Sequence, residues 1–347
     1  MNRYFIIITI LATAVLCACS DEDSQKQVYS QTAKQFPILL GSSVGDGTRS
    51  NNATNLISGD TVYVWADMIN GATQAVGDYF NAWALRANGV GVLTTIYPNN
   101  EMLFPATNKL NFYALVGNFG KGEGLRANEP YVARDTTEFP ATGIRHTVLC
   151  DQSTSTAYYK SDLLYAVVKN QEPVSAAVVL PFKHLLSRIQ VVIVAGNGVS
   201  TTELNSASVK LLNLRRQVSF SPNKDANFSS QSDLAGMLSW SNLFSSGDIL
   251  MSTNVVNTVS EATAVNSTVY ADAIVVPQTI ASGANFIEVS YLGRTAYYRI
   301  PLPNDLVLES GKQYRFRLIA DRIGSGYEAT VDIDDWDELS SSAMWVE

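Results

Sequence analysis

Few side chains in this sequence are of the kinds that make or break bonds. It has three cysteines and two histidines. A thiol or hydroxyl nucleophile needs a base beside it, and an imidazole-centred site needs its partners held around the ring. Neither His146 nor His184 has a Cys, Ser or Glu at a diagnostic offset. His184, next to Leu185 and Leu186, reads as a hydrogen-bonded structural residue, not a ligand. Cys150 reads as a small buried hydrophobe. No dinucleotide-binding glycine motif, phosphate loop, HExxH or GxSxG is present. The acids Asp332, Asp334, Asp335, Asp337 and Glu338 are close enough in sequence to offer oxygen ligands to calcium. They lack the glycine-bearing loop of an EF-hand, however, and Asp332 and Asp334 alternate with Val331 and Ile333, the pattern of a solvated strand face. Two carboxylates can flank a sugar in a glycosidase, but no such separation is readable along a chain. Trp65, Trp83, Trp240, Trp336 and Trp345 read as fillers of β cores or subunit contacts. The expectation is a protein that is not an enzyme and has no catalytic residue, cofactor or metal.

The sharpest signal lies at the amino terminus. Arg3 is followed by an uncharged apolar run from Phe5 to Ala18, too short to span a bilayer comfortably and suited to export. It ends in Leu16-Cys17-Ala18-Cys19 and gives way to Ser20-Asp21-Glu22-Asp23. This four-residue stretch resembles a bacterial lipobox, with Leu16 three before and small Ala18 one before the residue to be modified. The resemblance implies that Cys19 forms a thioether to diacylglycerol, and that several acyl chains give stable anchoring where one is marginal. Residues 1–18 then form the signal peptide and 19–35 a polar tether. With Cys17 removed and Cys19 lipidated, Cys150 stands alone, so the mature chain has no intrachain disulfide and must rely on packed cores.

The elements that would build those cores are strands. The 347 residues are 46% hydrophobic but only 16% charged, and rich in Tyr, Phe, Thr and Val, a composition that favours sheets. The formal charge of -8, with no basic block, argues against nucleic acid as a partner. Phe36-Pro37-Ile38-Leu39-Leu40 reads as a first strand, and Gly41 to Arg49 as an exposed glycine-rich loop. In Thr61–Ala66, Val62, Val64 and Ala66 face one way and Tyr63 and Trp65 the other. Further strands are expected over Leu110–Val116, Leu163–Val168, Val178–Phe182, Val191–Val194, Val209–Leu214, Tyr270–Val276, Phe286–Tyr291, Tyr297–Leu302, Tyr314–Ile319 and Thr330–Asp334. Asp233–Ser241 suits a short amphipathic helix, and Asp78–Leu85 suits either helix or strand. Many short strands between turns indicate an all-β chain of two β-sandwiches in series, 36–175 and 176–347.

Four regions in order resemble the fimbrillin family of Bacteroidetes surface fimbriae. They are the lipobox, Asp46-Gly47-Thr48-Arg49 before Gly59–Val64, Pro181-Phe182-Lys183-His184-Leu185-Leu186-Ser187-Arg188, and Leu302-Pro303 through Gly311–Phe316 to Asp334-Asp335-Trp336. The resemblance implies two tandem transthyretin-like β-sandwich domains and a stalk pilin that reaches the outer membrane as a lipoprotein. A surface arginine-specific protease would cut after Arg49 and remove the strand Phe36, Pro37, Ile38, Leu39, Leu40. The carboxy-terminal tail Leu339–Glu347, with Met344, Trp345 and Val346, would then fill the groove of a neighbouring subunit, giving head-to-tail fimbriae. An uncleaved anchor or accessory subunit, a tip subunit, and a surface glycan-binding lipoprotein stay open as alternatives.

Overall fold

The computed structural model describes residues 35–44, 55–70, 74–119, 138–141, 143–196, 198–204, 206–240, 246–253, 267–291, 293–320 and 329–335. Gln35–Glu347 forms one compact unit, and its described regular secondary structure is almost entirely strand. β1 (Leu40–Val44), β2 (Thr61–Asn70), β3 (Gln74–Ala87), β4 (Val92–Thr95) and β5 (Lys109–Val116) come first. A short β6 (Ile144–Thr147) and helix α1 (Ser155–Lys160) precede β7 (Leu164–Gln171) and β8 (Val178–His184). All of these strands except β6 close into a barrel in the order β1-β4-β3-β2-β5-β7-β8. Its pairings are antiparallel, except that β1 runs parallel to β8.

The rest of the chain builds a second set of sheets. It begins with β9 (Ser187–Ala195), helix α2 (Thr201–Leu204), β10 (Ser208–Arg215), β11 (Gln217–Phe220) and helix α3 (Gln231–Gly236). It continues through β12 (Leu238–Ser239), β13 (Ser246–Leu250), β14 (Ser267–Val275), β15 (Thr279–Ile280), β16 (Asn285–Tyr291), β17 (Arg294–Arg299), β18 (Leu306–Val307), β19 (Lys312–Ala320) and β20 (Ala329–Asp335). One four-stranded sheet has the order β14-β9-β19-β20 and another β13-β10-β16-β17; β12-β11-β6 and β15-β18 are small additions. Residue 175 falls between β7 and β8 of the barrel, and β6, from the first half, pairs with β11 of the second.

The expected alternation in β2 is present, but both of its faces are buried. Val62, Val64 and Ala66 join the barrel core with Phe112, Ala114, Leu164, Ala166, Leu180 and Phe182. On the opposite face Trp65 joins the second core with Tyr113, Leu115, Tyr165, Ile189 and Val191. Period-two alternation on β2, β5 and β7 therefore divides residues between two cores instead of between core and water. Aromatic contacts seal the outer layer: Trp65 and Tyr113 lie 6.0 and 5.2 Å from Phe139, and Tyr165 lies 5.6 Å from Phe220 and 5.7 Å from Phe228 between ring centroids.

Several local expectations shift. The short helix expected over Asp233–Ser241 is α3, which starts earlier because the Ser230 side chain accepts from the Asp233 N–H. The chain returns to strand at Leu238, paired with Phe220. Asp78–Leu85 lies in β3 and pairs with β2 on one side. Cys150 is exposed, which corrects its reading as a buried hydrophobe; its carbonyl accepts from the Leu250 N–H at 2.8 Å. Nothing in the types of its neighbours announces that exposure.

Candidate functional site

The segment Phe36–Val44 carries no ionisable side chain. Its first residues are extended without a full ladder: Pro37 bridges Leu103, the Ile38 N–H donates to the Met102 carbonyl at 2.7 Å, and the Phe104 N–H to the Phe36 carbonyl at 2.8 Å. The strand proper begins at Leu40, and continues through Gly41, Ser42 and Ser43 to Val44. The first part of the glycine loop expected after Leu40 is thus a central strand of the barrel. Glycine and serine are poor strand formers, and here pairing on both flanks overrides propensity. On one side Leu40 to Val44 face Val178 to Phe182 in parallel register. On the other, Leu40 and Gly41 face Leu93 and Val92, and the Ser42 N–H donates to the Gly91 carbonyl at 2.9 Å.

Side chains alternate along the segment as they do in any strand. Ile38, Leu40 and Val44 are 4%, 2% and 1% exposed and belong to the barrel core, while Leu39 is 46% exposed on the outside. Gly41 is closely surrounded: a Cβ there would meet the Gly91 carbonyl oxygen at 3.0 Å, tighter than most such contacts. β8 depends on this seam. It shares five ladder positions with β1 but only Leu164↔His184 and Tyr165↔Lys183 with β7. Taking β1 away would open the barrel between β4 and β8, leave one long edge of β8 unpaired and uncover Leu93, Val178, Leu180 and Phe182 of the same core.

The chain leaves β8 through Lys183–Arg188, and here the structure gives each polar residue a structural role. The His184 ring is buried and its Nδ1 lies 3.2 and 3.0 Å from the two Asp162 carboxylate oxygens. The Ser187 hydroxyl donates to the Glu309 carbonyl at 2.7 Å, and the Ser310 hydroxyl to the Leu185 carbonyl at 2.6 Å. Arg188 is fully inside the second unit of sheets. Its Nε donates to both oxygens of buried Asp272 at 3.1 and 2.9 Å, its Nη2 also reaches Asp272, and its Nη1 donates to Gln313 at 2.9 Å. The Tyr158 hydroxyl, from α1, donates to Asp272 at 3.0 Å. Burial alone would lower the Arg188 pKa, but the adjacent Asp272 carboxylate outweighs it and raises it, so the guanidinium stays charged. Burial likewise pushes the Tyr158 phenol up. His146 is held as the neutral tautomer: Nε2–H donates to the Ser161 carbonyl at 2.9 Å and Nδ1 accepts from the Asn118 N–H at 3.1 Å. Its pKa is lowered from 6.5 to about 4, chiefly by burial. These groups spend their hydrogen bonds on one another and on backbone, and fix the β8–β9 junction and its neighbours.

Among the described residues no cluster of His, Cys, Asp and Glu could hold a metal ion. Cys19, Arg49, the tail Leu339–Glu347 with Met344, Trp345 and Val346, and the acids Asp337 and Glu338 lie outside the described residues, as do Trp336 and Trp345. Trp65 and Trp83 fill cores as expected, whereas Trp240 is 48% exposed and is not a core residue. Ser42, Ser43 and Val44 were missed as part of the seam; the signal that could have found them is Val44, an apolar residue in even register with Ile38 and Leu40.

The profile of the fimbrillin-like family matches residues 48–336, and the chain belongs to that family. Solved structures share its fold. A proposed cell adhesion protein from Bacteroides ovatus aligns with a TM-score of 0.60 at 19% identity, covering 87% of this chain and 98% of that one. Another, from Bacteroides uniformis, aligns with a TM-score of 0.54 at 16% identity, covering 86% and 98%. No curated protein sequence matches.

Proposed function

We propose that this chain is a structural subunit of a cell-surface fimbria, assembled by removal of β1 and its replacement with a segment of the next subunit. The observation that carries this reading is the position of Phe36–Val44. It precedes the residues that the family profile matches, it is inserted between β4 and β8, and its side chains complete a core that every other barrel strand also lines. In this reading the precursor is lipidated at Cys19, travels to the outer membrane and is cut after Arg49 by an arginine-specific surface protease. The cut frees residues through Arg49, so Phe36, Pro37, Ile38, Leu39 and Leu40 leave together with Gly41–Val44. The emptied seam presents unpaired backbone and apolar surface, which is unfavourable unless another strand fills it.

The tail Leu339–Glu347 supplies that strand, with Met344, Trp345 and Val346 as its apolar residues. Strand addition gives affinity through the ladder and specificity through alternate side chains. A subunit that accepts at its barrel and donates from its tail makes heterologous contacts that do not close, and such contacts grow a filament. Mass spectrometry of the surface-assembled protein tests the scheme. A subunit beginning at Ser50 supports it. Polymer subunits with intact, acylated Cys19 overturn the stalk role and leave an anchor or accessory subunit.

A further inference from the structure

A cleft of about 690 Å³ opens far from β1 in the sequence, between the ends of β10, β13 and β17 and the loop around β15. Its size falls within the ~300–1,000 Å³ of small-ligand sites. Arg215 and Arg299 line it, together with the amides Asn213 and Asn285 and the hydroxyl of Thr279, and no carboxylate does. Both arginines are exposed. Among the described residues, Lys109, Lys169, Lys210, Lys224 and Arg188 each sit within ion-pair distance of an Asp or Glu. Arg215 and Arg299 do not. Arg299 Nε donates to the neutral Asn285 Oδ1 at 3.2 Å, and the Arg215 guanidinium lies 5.7 Å from the centroid of the Trp240 ring. In a chain of net charge -8, this cleft thus brings together two positive side chains and no carboxylate in its lining.

The cleft wall is built to hold them. Gln278 is buried and spends its amide on the backbone of Arg215: its Oε1 accepts from the Arg215 N–H at 2.9 Å, and its Nε2 donates to the Arg215 carbonyl at 3.2 Å and to the Val276 carbonyl at 2.9 Å. The opposite loop is fixed by the Gly283 N–H on the Ile300 carbonyl at 2.8 Å. The two nearby acids, Asp248 and Asp305, accept from the backbone N–H groups of Asn213 and Ser282 at 3.0 and 2.8 Å.

We propose that this cleft binds a carboxylated sugar, such as a uronic or sialic acid unit at the end of a glycan. Guanidinium groups match a carboxylate with paired, charge-assisted hydrogen bonds. The Asn and Thr side chains offer both donors and acceptors, as sugar hydroxyls require. Trp240, outside the cleft lining, carries the Arg215 guanidinium over its ring and so helps to position it. The Asn213 amide and the Thr279 hydroxyl, set beside apolar Leu212 and Ile280, suit the mixed polar and apolar surface of a sugar better than a peptide carboxyl terminus.

Calorimetric titration of the full mature chain with a glucuronide-terminated and a sialylated oligosaccharide, and with the neutral counterpart of each, tests this. The expected result is binding of at least one acidic sugar, weaker binding of its neutral counterpart, and loss of affinity as salt rises. Arg215→Met and Arg299→Met each weaken binding about tenfold or more, and Trp240→Ala weakens it too. Arg215 and Arg299 are exposed, so thermal melting of the two arginine variants stays at the wild-type value. Equal binding of the neutral sugars, affinity unchanged in both arginine variants, absence of binding by both acidic sugars, or preferential binding of a peptide carboxyl terminus would each overturn the proposal.

Discussion

Deleting residues 35–44 from the otherwise intact mature chain removes Ile38, Leu40 and Val44 from the barrel core. Full burial of an aliphatic side chain is worth about 1.5–3 kcal/mol, so these three account for about 5–9 kcal/mol before any backbone term. β8 also loses its five-position ladder with β1 and keeps two positions with β7. Domains of this kind are stable by only about 5–15 kcal/mol in total. The shortened chain is therefore expected to melt at much lower temperature or to associate through the open seam. A synthetic peptide spanning residues 36–44, added in excess, should bind and restore the melting temperature, because anything that binds only the folded form stabilises it. The same peptide with Leu40→Asp should not, since its carboxylate would be buried without a partner. The assay is thermal unfolding with size-exclusion chromatography, with and without peptide. A shortened chain that stays monomeric, melts at the wild-type temperature and ignores the peptide would refute the reasoning.

Three further predictions concern the scaffold. His146 is neutral and buried with its pKa lowered from 6.5 to about 4, so the unfolded chain binds a proton that the folded chain refuses as pH falls through that window. Stability contributed above pH 6.5 is lost toward pH 4, by about 3 kcal/mol in all; urea unfolding near neutral pH and near the lower limit should show a smaller drop in His146→Gln than in wild type. Arg188→Met leaves Asp272 buried without its partner and is expected to cost about 3–5 kcal/mol, whereas the double variant Arg188→Met with Asp272→Leu recovers most of it; chemical denaturation of the single and double variants checks this. Gly41→Ala places a Cβ 3.0 Å from the Gly91 oxygen and should destabilise the precursor by about 1–3 kcal/mol. Thermal melting of the variant and the wild-type full chain checks this.

Much of the sheet content was legible because strands such as β2, β9 and β19 carry long apolar or alternating runs. β1 was harder to read. Phe36–Leu40 is the apolar part of the segment, but the continuous ladder runs from Leu40 to Val44. It runs through Gly41, Ser42 and Ser43, whose propensities point to a loop and whose pairing comes from β4 and β8, distant in sequence. The same limit applies to Arg188: its place in a sequence motif is visible, but its partner Asp272 lies 84 residues away. Trp240 shows the converse. Residue type alone suggests burial, and only the fold reveals that it stands half exposed beside Arg215. Cys150 fails for the same reason, since exposure depends on where the β6–α1 connection runs.

The exchange of one strand for another is tested most directly by the structure of the assembled filament. The account predicts continuous density between β4 and β8 that belongs to Leu339–Glu347 of the adjacent subunit, with apolar side chains where Ile38, Leu40 and Val44 sit in the precursor. If each subunit in the filament still holds its own Leu40–Val44 between those strands, the account is contradicted.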